Sequence, residues 1–346
     1  MGNKFLLFLL CTLIHVSCVS VSTLDIHVLE PADEPLTPEV YRAALVSRIN
    51  ENENSGHPVP DEDPKSLARR ARAVSLAALE TLISLAHILN ESPGMDYLDG
   101  NAAKAEPNGS GGNRIPEPID PASIIDLCRE EGADAVISLE FLLVEFHDTI
   151  MNKPGVKETQ WFGYYLGKRS AYFNVFWRTY WGGDGYPVDE FALSDTLTWE
   201  HASFNQGTLG NFLPSPDEAL MEVSYLAALD YARRIAPYWV EEERSYFSRG
   251  NLRMRRASGH IRDNRLDDAE SILLRLLDRR NTHIVAAAWH NLALINELRG
   301  DYREALVMAR KAYQSRMHPL MADYIETLEE RLEKSYELDR QLGRIN

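Results

Sequence analysis

The chain is poor in cysteine. Only Cys11, Cys18 and Cys128 occur in 346 residues. Positive charge is also scarce: 36 lysines and arginines stand against 52 aspartates and glutamates, a formal charge of −16. That balance argues against a nucleic-acid partner and against unassisted adhesion to an anionic bilayer. Reaction signatures are missing too. There is no G-x-S-x-G elbow, no H-E-x-x-H and no G-x-x-x-x-G-K-[ST], and the GSGG at 109–112 lacks the helix and lysine that a phosphate loop needs. The sequence therefore predicts no enzyme, no cofactor and no resident metal.

The apolar run FLLFLLCTLIHV after Lys4 is far shorter than the ~20 residues that span a hydrocarbon core. It reads as a signal peptide over 1–17. Ordinary cleavage could use the small residues Ser17, Ser20 or Ser22. The preferred reading is that Ser17 before Cys18 resembles a bacterial lipobox, although His15 stands where that pattern usually has an aliphatic residue. Cys18 is then acylated and tethers the protein to the membrane. With Cys11 removed and Cys18 modified, Cys128 has no bridging partner. It reads as a small buried residue, since the neighbouring Glu130 and Glu131 would raise its pKa. Loss of Lys4 with the signal leaves the mature chain at −17.

Residues 18–214 read as an α/β or α+β domain, a mixed sheet with covering helices and an added antiparallel hairpin. DIHVLEPA and RAALVSRI look like strands, the second apolar on both faces. SLARRARAVSLAALETLISLAHILN is a long Ala- and Leu-rich helix. Asp120, Pro121 and Gly132 punctuate a second helix, and ADAVISLEFLLVEFH leads from it as a strand. AYFNVFWRTYW, GGDG and FALSDTLTW form the hairpin, within 172–199. Ser215, Pro216 and Glu218 cap a further helix that ends before Pro237.

Residues 215–346 read as an all-α, tetratricopeptide-like helical array in which every segment beyond 237 is helical. Two windows align when Ala269 is set on Ala305, a 36-residue offset. The strong repeat, about 286–319, puts Trp289, Leu292, Ala293, Gly300, Tyr302, Ala305, Ala309 and Ala312 in the slots for knobs, small contact residues and the inter-helix turn. The weak repeat, about 250–283, has Arg253 in the Trp slot and Asn264 in the Gly slot. Two repeats are too few to stand alone. The helices at 216–236 and about 319–342 are therefore expected to cover the ends of the stack, the second as a charged cap.

VLEPA near the mature N-terminus, LCREEGADAVISLE, and the run from APYWVEEERSYFSRGNLRM into the Trp289 repeat resemble a family of uncharacterised Bacteroidetes envelope lipoproteins. That family carries a domain of unknown function and ends in tetratricopeptide repeats. The resemblance implies an address, the outer membrane facing the periplasm, and an architecture, but no chemistry. Likeness to other tetratricopeptide domains implies a groove lined by Asn251, Met254 and Ser258 in the weak repeat and by Ala287, His290, Leu294 and Glu297 in the strong one. It would face a protein partner or the chain's own N-terminal domain.

Other candidates are weaker. His147-Asp148 at a strand end lacks a third catalytic member, and His283 with His290 supplies too few ligands for zinc. The aromatics from Trp161 to Trp181 read as core; their sharper reading is a glycan-stacking platform that needs Trp177 or Trp181 exposed beside a carboxylate. The leading expectation is a non-enzymatic envelope scaffold that binds another envelope protein, and the alternative is a carbohydrate-binding or carbohydrate-processing accessory. For the anchor, Cys18→Ala should release the protein from membranes and abolish labelling by an acyl-chain probe. Unlabelled wild-type protein recovered in the soluble periplasm and starting at Val21 or Thr23 would show that ordinary cleavage operates instead.

Overall fold

The computed structural model describes residues 20–37, 39–49, 64–94, 96–97, 104–105, 115–155 and 163–344. The chain forms two compact units, one of Pro31–Tyr238 with Arg340–Asn346, the other of Met1–Glu30 with Trp239–Asp339.

The first unit is built on a mixed sheet. Strand β2 (Arg42–Ser47) lies parallel to β3 (Ala135–Lys153), Ala43 opposite Ala135 and Ser47 opposite Leu139. Two two-residue strands, Asp96–Tyr97 and Lys104–Ala105, add in parallel on the other side of β2. Strands β4 (Tyr164–Trp181) and β5 (Pro187–Ser203) continue antiparallel from β3 as the expected hairpin. Successive side chains of a strand point to opposite faces, and this explains why β2 is apolar throughout. Ala43 and Leu45 join the core under helices α1 (Pro64–Glu91) and α3 (Pro216–Ile235), whereas Ala44 and Val46 pack under α2 (Pro121–Glu131).

The helix ends form as their cap residues require. Asp120 accepts from the Ser123 N–H, Pro121 opens α2 and Gly132 closes it in the left-handed region. Ser215 and Glu218 make a reciprocal capping box on α3. Over β4, Trp177 is fully buried and its indole stacks on Tyr231 of α3, centroids 4.9 Å apart and planes 3° from parallel. The Tyr231 hydroxyl bonds Thr179 at 2.6 Å and donates to Asp189 of β5 at 3.2 Å. Helix α3 thus belongs to the sheet. The sequence reading that set a boundary at 214 and used the 216–236 helix to cap the repeat stack is corrected here: Val223, Ala227, Ala228, Tyr231 and Ile235 are core residues of the sheet unit.

The second unit contains α4 (Leu252–Arg262), α5 (Leu266–Leu274), α6 (Thr282–Leu298), α7 (Tyr302–Ser315) and α8 (Pro319–Gln341). Each aligned window folds as a pair of consecutive helices. Ala293, Ala305 and Ala309 are fully buried where α6 meets α7, together with Leu328 of α8. After α6, Gly300 takes φ 79°. After α4, Asn264 takes φ 55° in the equivalent slot, the single non-glycine with positive φ among the described residues. Asparagine is the residue that best tolerates this conformation after glycine, so the substitution preserves the turn.

The segment after Pro237 is not helical at its start. Tyr238–Phe247 is a strand, β6, paired antiparallel with β1 (Val21–Glu30). Its alternating burial explains the misreading: the run Glu241-Glu242-Glu243-Arg244 masks a period of two. Truncation of the largest fully buried side chain, Trp177→Ala, should destabilise the protein by about 3–5 kcal/mol through lost burial and an unfilled cavity. Urea denaturation monitored by circular dichroism reads that change.

Candidate functional site

The residues expected to line a groove are turned towards β6 and the residue after it. Ala287, His290, Leu294, Met254, Ser258 and Glu297 are all buried. Half-buried Asn251 serves as N-cap of α4, accepting the Met254 N–H at 2.8 Å. The Ser258 hydroxyl donates to the Ser248 carbonyl at 3.2 Å. Nε2 of His290 lies 2.9 Å from the Ser245 carbonyl; a carbonyl only accepts, so this nitrogen carries the proton. Phe247 meets the same imidazole edge-on at 5.1 Å and Tyr324 packs beside it at 4.8 Å. Of the two occupants left open, a protein partner or the N-terminal domain, neither is what His290 and Glu297 meet: their partners are Ser245 and Arg244 of β6.

Asn291, absent from the expected set, explains the seating of the strand. Its amide accepts the Phe247 N–H and donates to the Phe247 carbonyl, both at 2.8 Å. A fully buried asparagine thus satisfies both backbone groups of a strand residue at once. Glu297 accepts from Arg244 Nε of β6 at 2.8 Å and from the Tyr324 hydroxyl at 2.5 Å. Arg331 of α8 pairs with Glu30 of β1 at 2.5 Å and with Glu242 of β6, and Lys334 reaches Glu30 at 2.9 Å. The network joins both strands to two helices. Burying Glu30, Glu297 and Arg331 is costly unless each has such a partner.

The remaining candidates do not converge. His147 and Asp148 are adjacent on β3, so they point to opposite faces; Asp148 is held by Arg169 at 2.5 and 2.7 Å, which lowers its pKa. His283 is exposed and contacts Arg316, whereas His290 is buried. No cluster of three metal-ligating side chains exists among the described residues. Burial, aided by Asp134, pushes the Cys128 thiol up to about 11, and the side chain sits among Ile124, Val136 and Tyr180. The glycan platform loses Trp177, Phe173 and Tyr180 to the core, leaving Trp181 38% exposed. Cys18 and Trp161 lie outside the described residues.

One surface does stand out. Within α1, Arg72–Glu91 is long and apolar enough to cross a membrane. Its inner face, Ala77, Ala78, Leu82, Leu85 and Leu89, packs in the core. The opposite face exposes Leu76 at 49%, Leu79 at 45% and Ile83 at 53%. The spacing i, i+3, i+7 places these three on one stripe. On α3, which touches α1 where the Ser224 hydroxyl donates to the Ala77 carbonyl at 3.2 Å, Met221 and Tyr225 are also exposed. Lone apolar surface residues are ordinary; these three lie together on one helix face.

Two family models match the chain, each described as a domain of unknown function: DUF8603 over residues 40–247 and DUF6340 over residues 255–330. No curated protein matches.

Burial holds His290 down at about 4, below the ~6.5 of an unfolded histidine. The folded state therefore keeps the ring neutral, and its contribution is complete above pH 6.5 and lost as pH falls from 6.5 towards 4. The loss should approach about 3 kcal/mol, at ~1.4 kcal/mol per pH unit. Urea unfolding at pH 7.0, 5.5 and 4.5 measures it, and His290→Gln should flatten the slope while lowering stability at pH 7.

Proposed function

We propose that this chain, which belongs to the DUF8603 family of domains of unknown function, is a non-enzymatic scaffold of the bacterial cell envelope that binds another envelope protein. In this reading it is a lipoprotein, held through Cys18 at the outer membrane and facing the periplasm, of the Bacteroidetes type that its sequence resembles. The helix pairs of its second unit are tetratricopeptide-like repeats, the first weak and the second strong.

The observation that carries the binding role is the apolar outer stripe of α1. Leu76, Leu79 and Ile83 are set by a helix whose other face is already core, so they add nothing to folding and cost solubility unless something covers them. The helical unit's own candidates direct attention to this stripe, since His290 and Glu297 are hydrogen-bonded to β6 and Leu294 is buried.

A photo-crosslinking residue placed at Leu79 or Ile83 in living cells should give one discrete protein adduct, whereas the same residue at exposed Glu329 should give none. The double variant Leu79→Glu, Ile83→Glu should retain its folding midpoint, because exposed substitutions usually change stability by no more than about 0.5 kcal/mol. The adduct at a third position, Leu76, should then disappear. Equal labelling at Glu329, or an adduct that survives the double variant, would sink the proposal.

A further inference from the structure

The arginines of the second unit differ in what answers them: Arg303 donates to the Tyr336 hydroxyl and Arg316 meets His283. Arg244, Arg262, Arg265, Arg299, Arg310 and Arg331 each hold a carboxylate. Seven others, Arg249, Arg253, Arg255, Arg256, Arg275, Arg279 and Arg280, are exposed and have no ion pair or side-chain hydrogen bond to any described residue; five of them, Arg253, Arg256, Arg275, Arg279 and Arg280, lie close together. These five are gathered at two adjoining cavities. One, of about 510 Å³, is lined by Arg253, Arg279 and Arg280 with Asn251, Asn281 and Leu252 among its walls. The other, of about 200 Å³, is lined by Arg253, Arg256, Arg275, Leu252 and Ile272. Arg253 and Leu252 belong to both, and no carboxylate lines either.

In a chain with 52 acidic residues, five guanidinium groups without a counter-charge do not follow from composition. Crowded like charges repel, and the nearest remedy is a bound anion. The net charge of the protein does not cancel the local field, because screening confines it to about 8 Å at physiological salt. Both N-caps on the larger cavity, Asn251 and Asn281, begin helices of 11 and 17 residues. The positive ends of α4 and α6 thus open on the same space as the arginines.

We infer that this double cleft binds a phosphate-bearing ligand. A carboxylate offers two oxygens and one charge, too little for three to five planar forks. A phosphate offers three or more acceptors and up to two charges, and arginine meets its oxygens in bidentate geometry. Arg253, shared by the two cavities, sits where one phosphoryl group or two neighbouring ones would be bridged. Leu252, 70% exposed, and Ile272 give an apolar wall beside the charges, suited to a phosphoester with a non-polar portion. That chemistry is offered both by free phosphate compounds and by the headgroup of an anionic phospholipid.

Titration calorimetry of the full mature chain with inorganic pyrophosphate, and flotation with phosphatidylglycerol–phosphatidylcholine vesicles against pure phosphatidylcholine, separate the two sources. A Cys18→Ser chain is used so that acylation cannot contribute. Arg253→Glu with Arg279→Glu should weaken whichever binding occurs by at least about tenfold, with an unchanged thermal midpoint. Arg303→Glu, on α7, serves as the matched control. Pyrophosphate binding that the double variant abolishes assigns a soluble phosphate ligand, and vesicle binding alone that it abolishes assigns a lipid headgroup. Absence of binding in both arms, binding untouched by the double variant, or citrate binding as tightly as pyrophosphate would each overturn the inference.

Discussion

A carboxylate without water must have its charge answered, and both units are organised around one that is. In the sheet, Glu140 receives Arg48 at 2.6 Å, the Tyr180 hydroxyl at 2.9 Å and Arg178 at 3.6 Å. In the helical unit, Glu297 receives Arg244 and the Tyr324 hydroxyl. Each site draws in distant chain. Arg48 and Arg178 also donate to the carbonyls of Glu117 and Pro116, at 2.7 Å each, and the Ile119 N–H donates to Tyr180, so the segment before α2 is strapped to the sheet by the cations that neutralise Glu140. Burial and the nearby Glu140 carboxylate push the Tyr180 hydroxyl up to about 12, which keeps it a donor. An ion pair this dry adds little net stability, yet removing one member strands the other and costs about 3–5 kcal/mol. Its effect is therefore to forbid other arrangements.

The placement of Glu140 is a backbone event. Leu139 faces Trp177 and Phe141 faces Phe176, so Glu140 is the extra residue of a bulge in β3. Without it, strict alternation would continue and the register would shift for everything beyond. Bulges re-aim single side chains in this way. No feature of SLEFLL announces one, because the bulge answers to Arg48, just after β2, and to Arg178 and Tyr180 on β4.

Much else was legible because it is local. Asp120, Ser215 and Glu218 cap helices through atoms three residues away, Gly300 turns the chain through its own φ, and the doubly apolar RAALVS could only be a strand covered on both faces. What escaped was long-range. The 216–235 helix has caps and periodicity that suit either unit; the stacking of Tyr231 on Trp177 decides for the sheet. Of the residues assigned to a groove, His290, Glu297 and Ser258 bond to β6 or to Ser248 just after it, and periodicity carries no record of such a contact. Asn291, the residue that admits β6, looks in the sequence like an ordinary polar position on a helix. The unpaired arginines were visible one by one, and only the folded chain shows that five of them share a cleft without acids.

The pairing of β1 with β6 also sets an order of events. The Ser22 hydroxyl meets that of Ser248, 226 positions later. At ~5–20 residues per second of synthesis, the first strand made waits roughly 10–45 s for its neighbour, while its own backbone groups remain unpaired. Closing so long a loop slows the last step of assembly. Strand β1 is thus among the last pieces to find its place, and a ribosome that delays the C-terminal helices leaves a bare strand edge exposed for as long as the delay lasts.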